Sequence, residues 1–326
     1  MRIIRAGEIR RSYSMRQAIN AMERAFITLS SIECHIPMRV VTRLPADDLL
    51  LLYKPAYVEK DRKVTVKFIT QRERTVIQGI PAIQGVVMVM DSVTGEIISI
   101  MDGNHITALR TGAASGLATR LLARIDARTM ALFGCGAQGK TQVEAVLCER
   151  PVRKIIVYEK DRDRACRFID EMQGESSAEM VYCEDISALK EADIICTATN
   201  ATTPLFRRED VREGVHINAI GSFQPHMQEI DPRIIRNARL FLDSKEPCLK
   251  ESGDLIKPIR EGIISESHIA GEIGDILLNR IKGRESGDQI TVFKSVGVAI
   301  QDYVVATDIF NCSLEEGFGI DINLSD

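Results

Sequence analysis

The sequence predicts an α/β chain with a doubly wound parallel sheet beside an α+β domain. Three observations predict this. From residue 129 onward, short apolar runs alternate with helical segments, the rhythm of parallel strands covered on both faces. Between residues 49 and 101, strand-like runs follow one another without helices, as in a mostly antiparallel sheet. At roughly 150 residues per domain, 326 residues make about two domains.

Each element has its own signal. Met15, Ala18, Ile19, Met22, Ala25, Phe26 and Leu29 recur at helical spacing, and Ser14 with Gln17 gives a capping-box start. Residues 49–53, 64–69, 83–90 and 97–101 read as strands. In the second of these, Val64, Val66 and Phe68 share one face, and Thr65, Lys67 and Ile69 the other. Residues 106–124 turn helical, with a run of small side chains from Thr111 to Ala118 that permits close backbone approach. After a link at 126–128, strands at 129–133, 154–158, 180–183, 193–197, 215–220 and 239–242 alternate with helices or loops. A strand from Thr291 and a helix through Phe310 close the chain; that helix must bury an apolar face, and the first domain is the place expected for it. The expected limits are 1–119 with 303–326 for the first domain and 120–302 for the second.

Composition narrows the function. With 42 Lys+Arg against 46 Asp+Glu, the net charge of −4 offers no general attraction to nucleic acid. Aromatics are 5% and Trp is absent, so there are few platforms for stacked bases; 11 Met suit an aliphatic core. The eight cysteines form no C-x-x-C pair and the five histidines are dispersed, so no metal site is expected. The N-terminal MRIIRAGEIRRSY lacks a signal peptide's apolar run, and no apolar stretch approaches the ~18 residues of a membrane span. The expectation is a reduced, soluble, cytoplasmic protein.

The strongest local motif is Gly134-Cys135-Gly136-Ala137-Gln138-Gly139, a G-x-G-x-x-G run between a strand and a helix. This is the dinucleotide-binding context of a Rossmann sheet. Gly134 permits the tight turn, Gly136 lets the backbone approach a pyrophosphate, and Gly139 lets the helix pack on the sheet. The helix opened by Ala137 and Gln138 turns N–H groups toward phosphate charge. Glu159 ends the next strand, where an acid grips a ribose diol and favours NAD over NADP; Lys160 beside it tempers that lean. Cys135 reads as a small spacer, not a catalytic thiol.

A second pattern is cationic. Lys67 interrupts an apolar strand, Arg110 opens the small-residue helix, and Arg39 precedes another strand. Together they suit an anionic substrate: Arg holds a carboxylate through two hydrogen bonds, and Lys adds a compact charge and a transferable proton. By spacing alone they also read as ordinary surface cations.

The segments PMRVV (37–41), VTVKFIT (64–70), MDGNHITALRTGAASGLAT (101–119), FGCGAQGKTQ (133–142), HINAIGS (216–222), FLDSKEPCLKESGDL (241–255) and TVFKSVGVAIQD (291–302) carry a specific resemblance. Over nearly its whole length the chain resembles the ornithine cyclodeaminase/mu-crystallin family. The resemblance implies an N-terminal substrate-binding and dimerisation domain, a Rossmann domain, a returning C-terminus and a homodimer. It assigns Arg39, Lys67 and Arg110 to the substrate carboxylate, and Thr111 and Gly112 to the neighbourhood of the cofactor phosphates.

The departures bear on activity. Cyclodeaminases place an Asp after the HINAIG strand, where this chain has Phe223, and a second acid in the segment here reading LLYKP (51–55). Without those carboxylates the site has little to offer a diamino acid. The runs at 221–229 and 250–255 resemble the imine-reductase and mu-crystallin branches. The expected activity is NAD(P)H-dependent reduction of a cyclic imine carboxylate, Δ1-pyrroline-2-carboxylate or Δ1-piperideine-2-carboxylate, to proline or pipecolate. The alternatives are an alanine dehydrogenase, then a cyclodeaminase, or a non-enzymatic mu-crystallin-like binding protein.

Overall fold

The computed structural model describes residues 1–72, 77, 79–174 and 176–323. It divides into two compact units, Met1–Arg110 with Val298–Asp326, and Thr111–Gly297. Both divisions lie N-terminal to the limits expected at 119 and 302, the first of them within a continuous helix. Residues 324–326 of the expected first domain lie outside the described residues.

The first unit opens with β1 (Arg2–Ile4), α1 (Ala6–Ser12) and α2 (Met15–Ser30). The Ser14–Gln17 capping box forms as expected: Ser14 Oγ accepts from the Gln17 amide, and Gln17 Oε1 accepts from the Ser14 amide at 2.8 Å. Next come β2 (Cys34–His35), β3 (Val40–Leu44), β4 (Leu49–Val58), β5 (Lys63–Arg72), β6 (Ile83–Asp91) and β7 (Ile97–Asp102). β4 to β7 pair antiparallel in succession, and β1 joins β7 in parallel. β4 runs five residues beyond the expected strand, through Pro55. β3 pairs only as far as Tyr53 and β2 begins at Tyr57, so proline's missing N–H faces a gap between these neighbours.

α3 (Gly103–Leu122) leads into the second unit. There β8 (Thr129–Phe133), α4 (Ala137–Glu149), β9 (Lys154–Tyr158), α5 (Arg162–Gln173), β10 (Glu179–Tyr182), β11 (Ile194–Thr197) and β12 (His216–Ala219) alternate as predicted. α6 (Pro232–Asn237), β13 (Arg239–Leu242), α7 (Lys245–Glu251), α8 (Gly253–Arg260), β14 (Ile269–Glu272), α9 (Ile273–Leu277) and β15 (Thr291–Lys294) follow. The sheet order is β10-β9-β8-β11-β12-β15-β13-β14, parallel throughout. The chain reverses direction of winding between β8 and β11, which makes the switch point of a doubly wound sheet, where ligands bind at the strands' C-terminal ends. Buried aliphatic clusters cover both faces of this sheet.

α10 (Ala299–Glu316) and β16 (Ile320–Asp321) then return to the first unit, as the sequence predicted. α10 packs against α2, β4 and β5, and β16 pairs with β1. The Tyr303 hydroxyl donates to Asp61 at 3.2 Å, and Asp308 accepts from Tyr13 at 2.8 Å. These tie the last helix to the turn between β4 and β5 and to the end of α1.

Candidate active site

The glycine turn caps β8 at the switch point. Gly134 has φ +100°, and a Cβ there would sit 2.5 Å from the Ala198 carbonyl oxygen. At Gly139 a Cβ would meet the Gly134 carbonyl oxygen at 2.3 Å, so α4 packs close to the strand only because that residue is glycine. Around Gly136 the nearest atom is the Arg164 guanidinium at 3.4 Å, which leaves backbone open to an approaching phosphate. Gly136 is also the N-cap of α4, whose first N–H groups face outward beside Ala137 and Gln138. The Gln138 Oε1 atom is buried and has no partner in the described structure, so its amide is available to a ligand there.

A cavity of about 1380 Å³ opens beside this turn, lined by Gly134, Glu159, Lys160, Arg164 and Thr199 among others. Glu159 reaches back to the turn: it accepts from the Cys135 amide at 3.1 Å and from the Lys160 amide at 2.9 Å. Its carboxylate therefore sits between the first glycine and the end of β9, where a ribose would lie. These residues fit a dinucleotide. Gly112 meets a different local demand: a Cβ there would sit 2.5 Å from the Thr141 carbonyl oxygen, so glycine lets α3 approach α4 closely. Thr111 beside it is buried. Burial and the Glu159 charge push the Cys135 thiol up to about 12, which makes it inert as a nucleophile.

The cationic cluster lies in the first unit. Strand alternation puts Thr65 and Lys67 on the buried face of β5, and the register sets Lys54 of β4 directly opposite Lys67. Lys67 Nζ donates to Asp302 Oδ1 at 2.7 Å and to Thr107 Oγ1 at 3.1 Å. Arg110 Nε donates to the same Asp302 oxygen at 3.2 Å, and its Nη1 to Gln301 Oε1 at 2.8 Å. Arg39 lies close enough to act electrostatically on both Lys54 and Lys67. Access falls from half-buried Arg39, through Lys54 and Arg110 at 6% and 5% exposure, to Lys67 and Asp302 at 0% and 1%.

Four basic groups thus surround one acid. Burial pulls the Lys67 ammonium down to about 8, against the raising pull of Asp302; Arg110 and Arg39 add to the fall. Burial and the three neighbouring cations push Lys54 well below its ordinary value. For Asp302, burial alone would raise the carboxyl, but Lys67, Arg110 and Lys54 outweigh it and hold it low. A pocket with this excess of positive charge is suited to a small carboxylate.

Lys54, Gln301 and Asp302 escaped the sequence reading. Lys54 did carry a signal, a cation inside the apolar run LLLLYKPAYV. A further group missed is Glu229, whose carboxylate accepts from Thr197 Oγ1, the Thr199 amide and hydroxyl, and the Gly221 and Ser222 amides, at 2.7–3.2 Å. It ties together the loops that follow β11 and β12 at the sheet's ligand-binding end. Phe223, in the second of those loops, packs partly against the core of its unit. His216 is fully buried between Thr291 and Asn218 and is pushed down to about 3 by burial, so it is a neutral structural ring. Among the described residues no cluster of acids, histidines and cysteines could hold a metal.

The family model for ornithine cyclodeaminase/mu-crystallin proteins matches residues 2–317. The chain belongs to the ornithine cyclodeaminase/mu-crystallin family. Within that family it is 38% identical to the Δ1-pyrroline-2-carboxylate reductase of Bacillus cereus (strain ZK / E33L), over 98% of each chain. The structure of Thermococcus litoralis Δ1-pyrroline-2-carboxylate reductase in complex with NADH and L-proline superposes with a TM-score of 0.95 at 35% identity, covering 99% of this chain and 100% of that one. An archaeal alanine dehydrogenase dimer with bound NAD gives 0.92 at 28% identity, covering 99% of each chain.

Proposed function

We propose that this family member is an NAD(P)H-dependent oxidoreductase that reduces Δ1-pyrroline-2-carboxylate to L-proline, with the six-membered homologue as a second candidate substrate. The observation that carries the reading is the buried excess of cations around Asp302, alongside a glycine turn that fits a dinucleotide. Full-length similarity to two Δ1-pyrroline-2-carboxylate reductases supports it.

Arg39 and Arg110, both more accessible than Lys67, clamp the substrate carboxylate. Lys67 backs them with a compact charge and is the proton reserve that keeps the imine nitrogen protonated, so that its carbon is electrophilic. When bound, the reduced nicotinamide supplies the hydride for that carbon. The turn Gly134–Gly139 with Ala137 and Gln138 holds the pyrophosphate. Thr111 and Gly112 lie near the phosphates, and Glu159 with Lys160 holds the adenine-side ribose. A carboxylate at that place repels a 2′-phosphate, so NADH is the preferred form.

The assembly is a homodimer. The outer face of the first unit's sheet is an apolar ladder: Phe68 lies between its cross-strand partners Tyr53 and Val86, and Val66 between Pro55 and Met88. These side chains are half-buried or exposed, while the opposite face lies under α10, on which α2 packs. A second copy of this sheet covers that ladder, in keeping with the dimer of the archaeal alanine dehydrogenase. The compartment is the cytoplasm: none of the eight cysteines is in a disulfide, and no described helix is long and apolar enough to cross a membrane.

The deciding experiment is NADH oxidation with purified protein over a panel of five- and six-membered cyclic imine carboxylates, pyruvate plus ammonium, and linear ketimines. Fastest turnover with a cyclic imine is expected. Preference for pyruvate plus ammonium would make it an alanine dehydrogenase, and ornithine-dependent ammonia release without net NADH change a cyclodeaminase.

A further inference from the structure

The second unit spends its buried acids on the backbone. Asp254 accepts from the Glu229 and Ile230 amides and pairs with Lys294. Asp243 accepts from the Ser244, Val296 and Gly297 amides. Glu229 holds the Thr199, Gly221 and Ser222 amides. Such acids fix loops, and their placement is a matter of folding.

Asp302 is bonded differently. Its Oδ1 takes one hydrogen bond from Lys67 and one from Arg110, and no backbone amide of the described structure donates to it. Its Oδ2 is buried and has no partner there. A buried carboxylate that leaves one oxygen unused and gives the other to two cations is placed for those cations. Both reach a single oxygen, so Nζ of Lys67 and Nε of Arg110 are held under about 6 Å apart despite like charge. They come from β5 and α3, whereas Asp302 arrives on α10 with the returning chain end. Gln301, the residue before it, turns the Arg110 fork through its second hydrogen bond.

We propose that Asp302 is the positioning residue of the cationic pocket: a built-in counter-ion, delivered by the last helix, that holds Lys67 and Arg110 side by side for an incoming substrate carboxylate. Every charged group known to face Lys67 enters this balance: Arg39 ahead of β3, Lys54 across β4, Arg110 on α3 and Asp302 on α10. Only the last is negative. Its charge favours the charged form of Lys67, against burial and the other cations.

The inference rests on the reductase reading, so its test has an arm that needs no turnover. Pyrrole-2-carboxylate, a planar anion that cannot be reduced, is titrated into the wild type, Asp302→Asn, Asp302→Glu, Lys67→Met and the double variant Lys67→Met/Asp302→Asn. NADH affinity is measured in each. For Asp302→Asn we expect unchanged NADH affinity, at least tenfold weaker anion binding, and an alkaline limit about one pH unit lower than in the wild type. Asp302→Glu restores the pH limit, because charge returns, but only part of the affinity, because placement does not. In the Lys67→Met background Asp302→Asn costs less than about threefold, since only Arg110 is left to position and the Lys67 charge no longer stands beside it. Should Asp302→Asn not fold, the charge-balanced double variant and Asp302→Glu carry the test. Anion binding within twofold of the wild type in Asp302→Asn overturns the inference, and so does a full penalty in the Lys67→Met background. Anion binding that behaves as expected in a protein that oxidises no NADH with any imine refutes the reductase reading alone.

Discussion

If Lys67 must be charged to bind a carboxylate, binding should fail on the alkaline side at a pH set by its burial. The ammonium falls from an ordinary 10.5 to about 8, which corresponds to ~3 kcal/mol against the charged form in the fold. Titrating pyrrole-2-carboxylate between pH 6 and 10 reads the protein's groups alone, since the ligand's own charge stays constant, and the Lys67 variants separate Lys67 from Lys54, whose pKa is also lowered. Affinity should be level to about pH 8 and then weaken roughly tenfold per pH unit, until the bound anion's own pull on the proton takes over. Lys67→Arg keeps its charge throughout this range, so its alkaline fall should vanish; Lys67→Met should bind weakly at every pH. Stability separates this from unfolding. Lys67 has a lower pKa folded than unfolded, so between about pH 8 and 10.5 the unfolded chain binds more protons. By linkage, its contribution to stability rises across the window in which binding is lost. A melting temperature that falls with the affinity would assign the loss to unfolding. A wild-type affinity constant from pH 7 to 10, or an unmoved limit in Lys67→Arg, would refute the argument.

Three further outcomes follow from single side chains. Glu159→Ala removes the carboxylate beside the glycine turn, so NADH should weaken about tenfold and NADPH much less; equal losses by fluorescence titration would remove Glu159 from ribose binding. Arg150 donates to the carbonyls of Thr119, Arg120, Ala123 and Arg124 at the end of α3 at 2.8–3.0 Å. Arg150→Met should therefore cost about 3 kcal/mol in a urea titration, by stranding those acceptors. Phe68→Glu puts a charge in the middle of the outer apolar ladder, so sedimentation should shift from dimer to monomer while monomeric NADH binding persists.

Much of the architecture was legible because it rests on local chemistry. β8 and β9 begin and end where the apolar runs do, and β13 spans the run at 239–242. The glycine turn sits where its spacing put it, since Gly134 answers a positive φ and Gly139 a carbonyl five residues back. The elements missed were short or irregular: β1, β14 and β16 have four residues or fewer, too few to show a period. The expected limit at 119 and the division of contacts after Arg110 both fall inside α3, a continuous helix whose periodicity marks neither position.

The candidate site was legible by half, and the division has a physical reason. A cation on the buried register of an apolar strand, as Lys67 is, must find a partner or lose its charge, so the sequence can say that something answers it. What answers it depends on strand register and on the path of the chain end. Lys54 meets Lys67 because β4 and β5 pair in one register and not one residue over. Asp302 meets Lys67 across 235 positions because α10 returns. The same reasoning limits what net charge can say. A chain carrying −4 overall still sets four basic groups, three of them buried, near one buried carboxylate, because most of its other charges lie at the surface where water screens them. Within the pocket, burial removes that screening, so the local imbalance acts on a ligand at close to full strength. An anionic ligand that reached these groups would relieve that imbalance where bulk charge would predict indifference, and the proposed carboxylate binding draws its free energy from this relief.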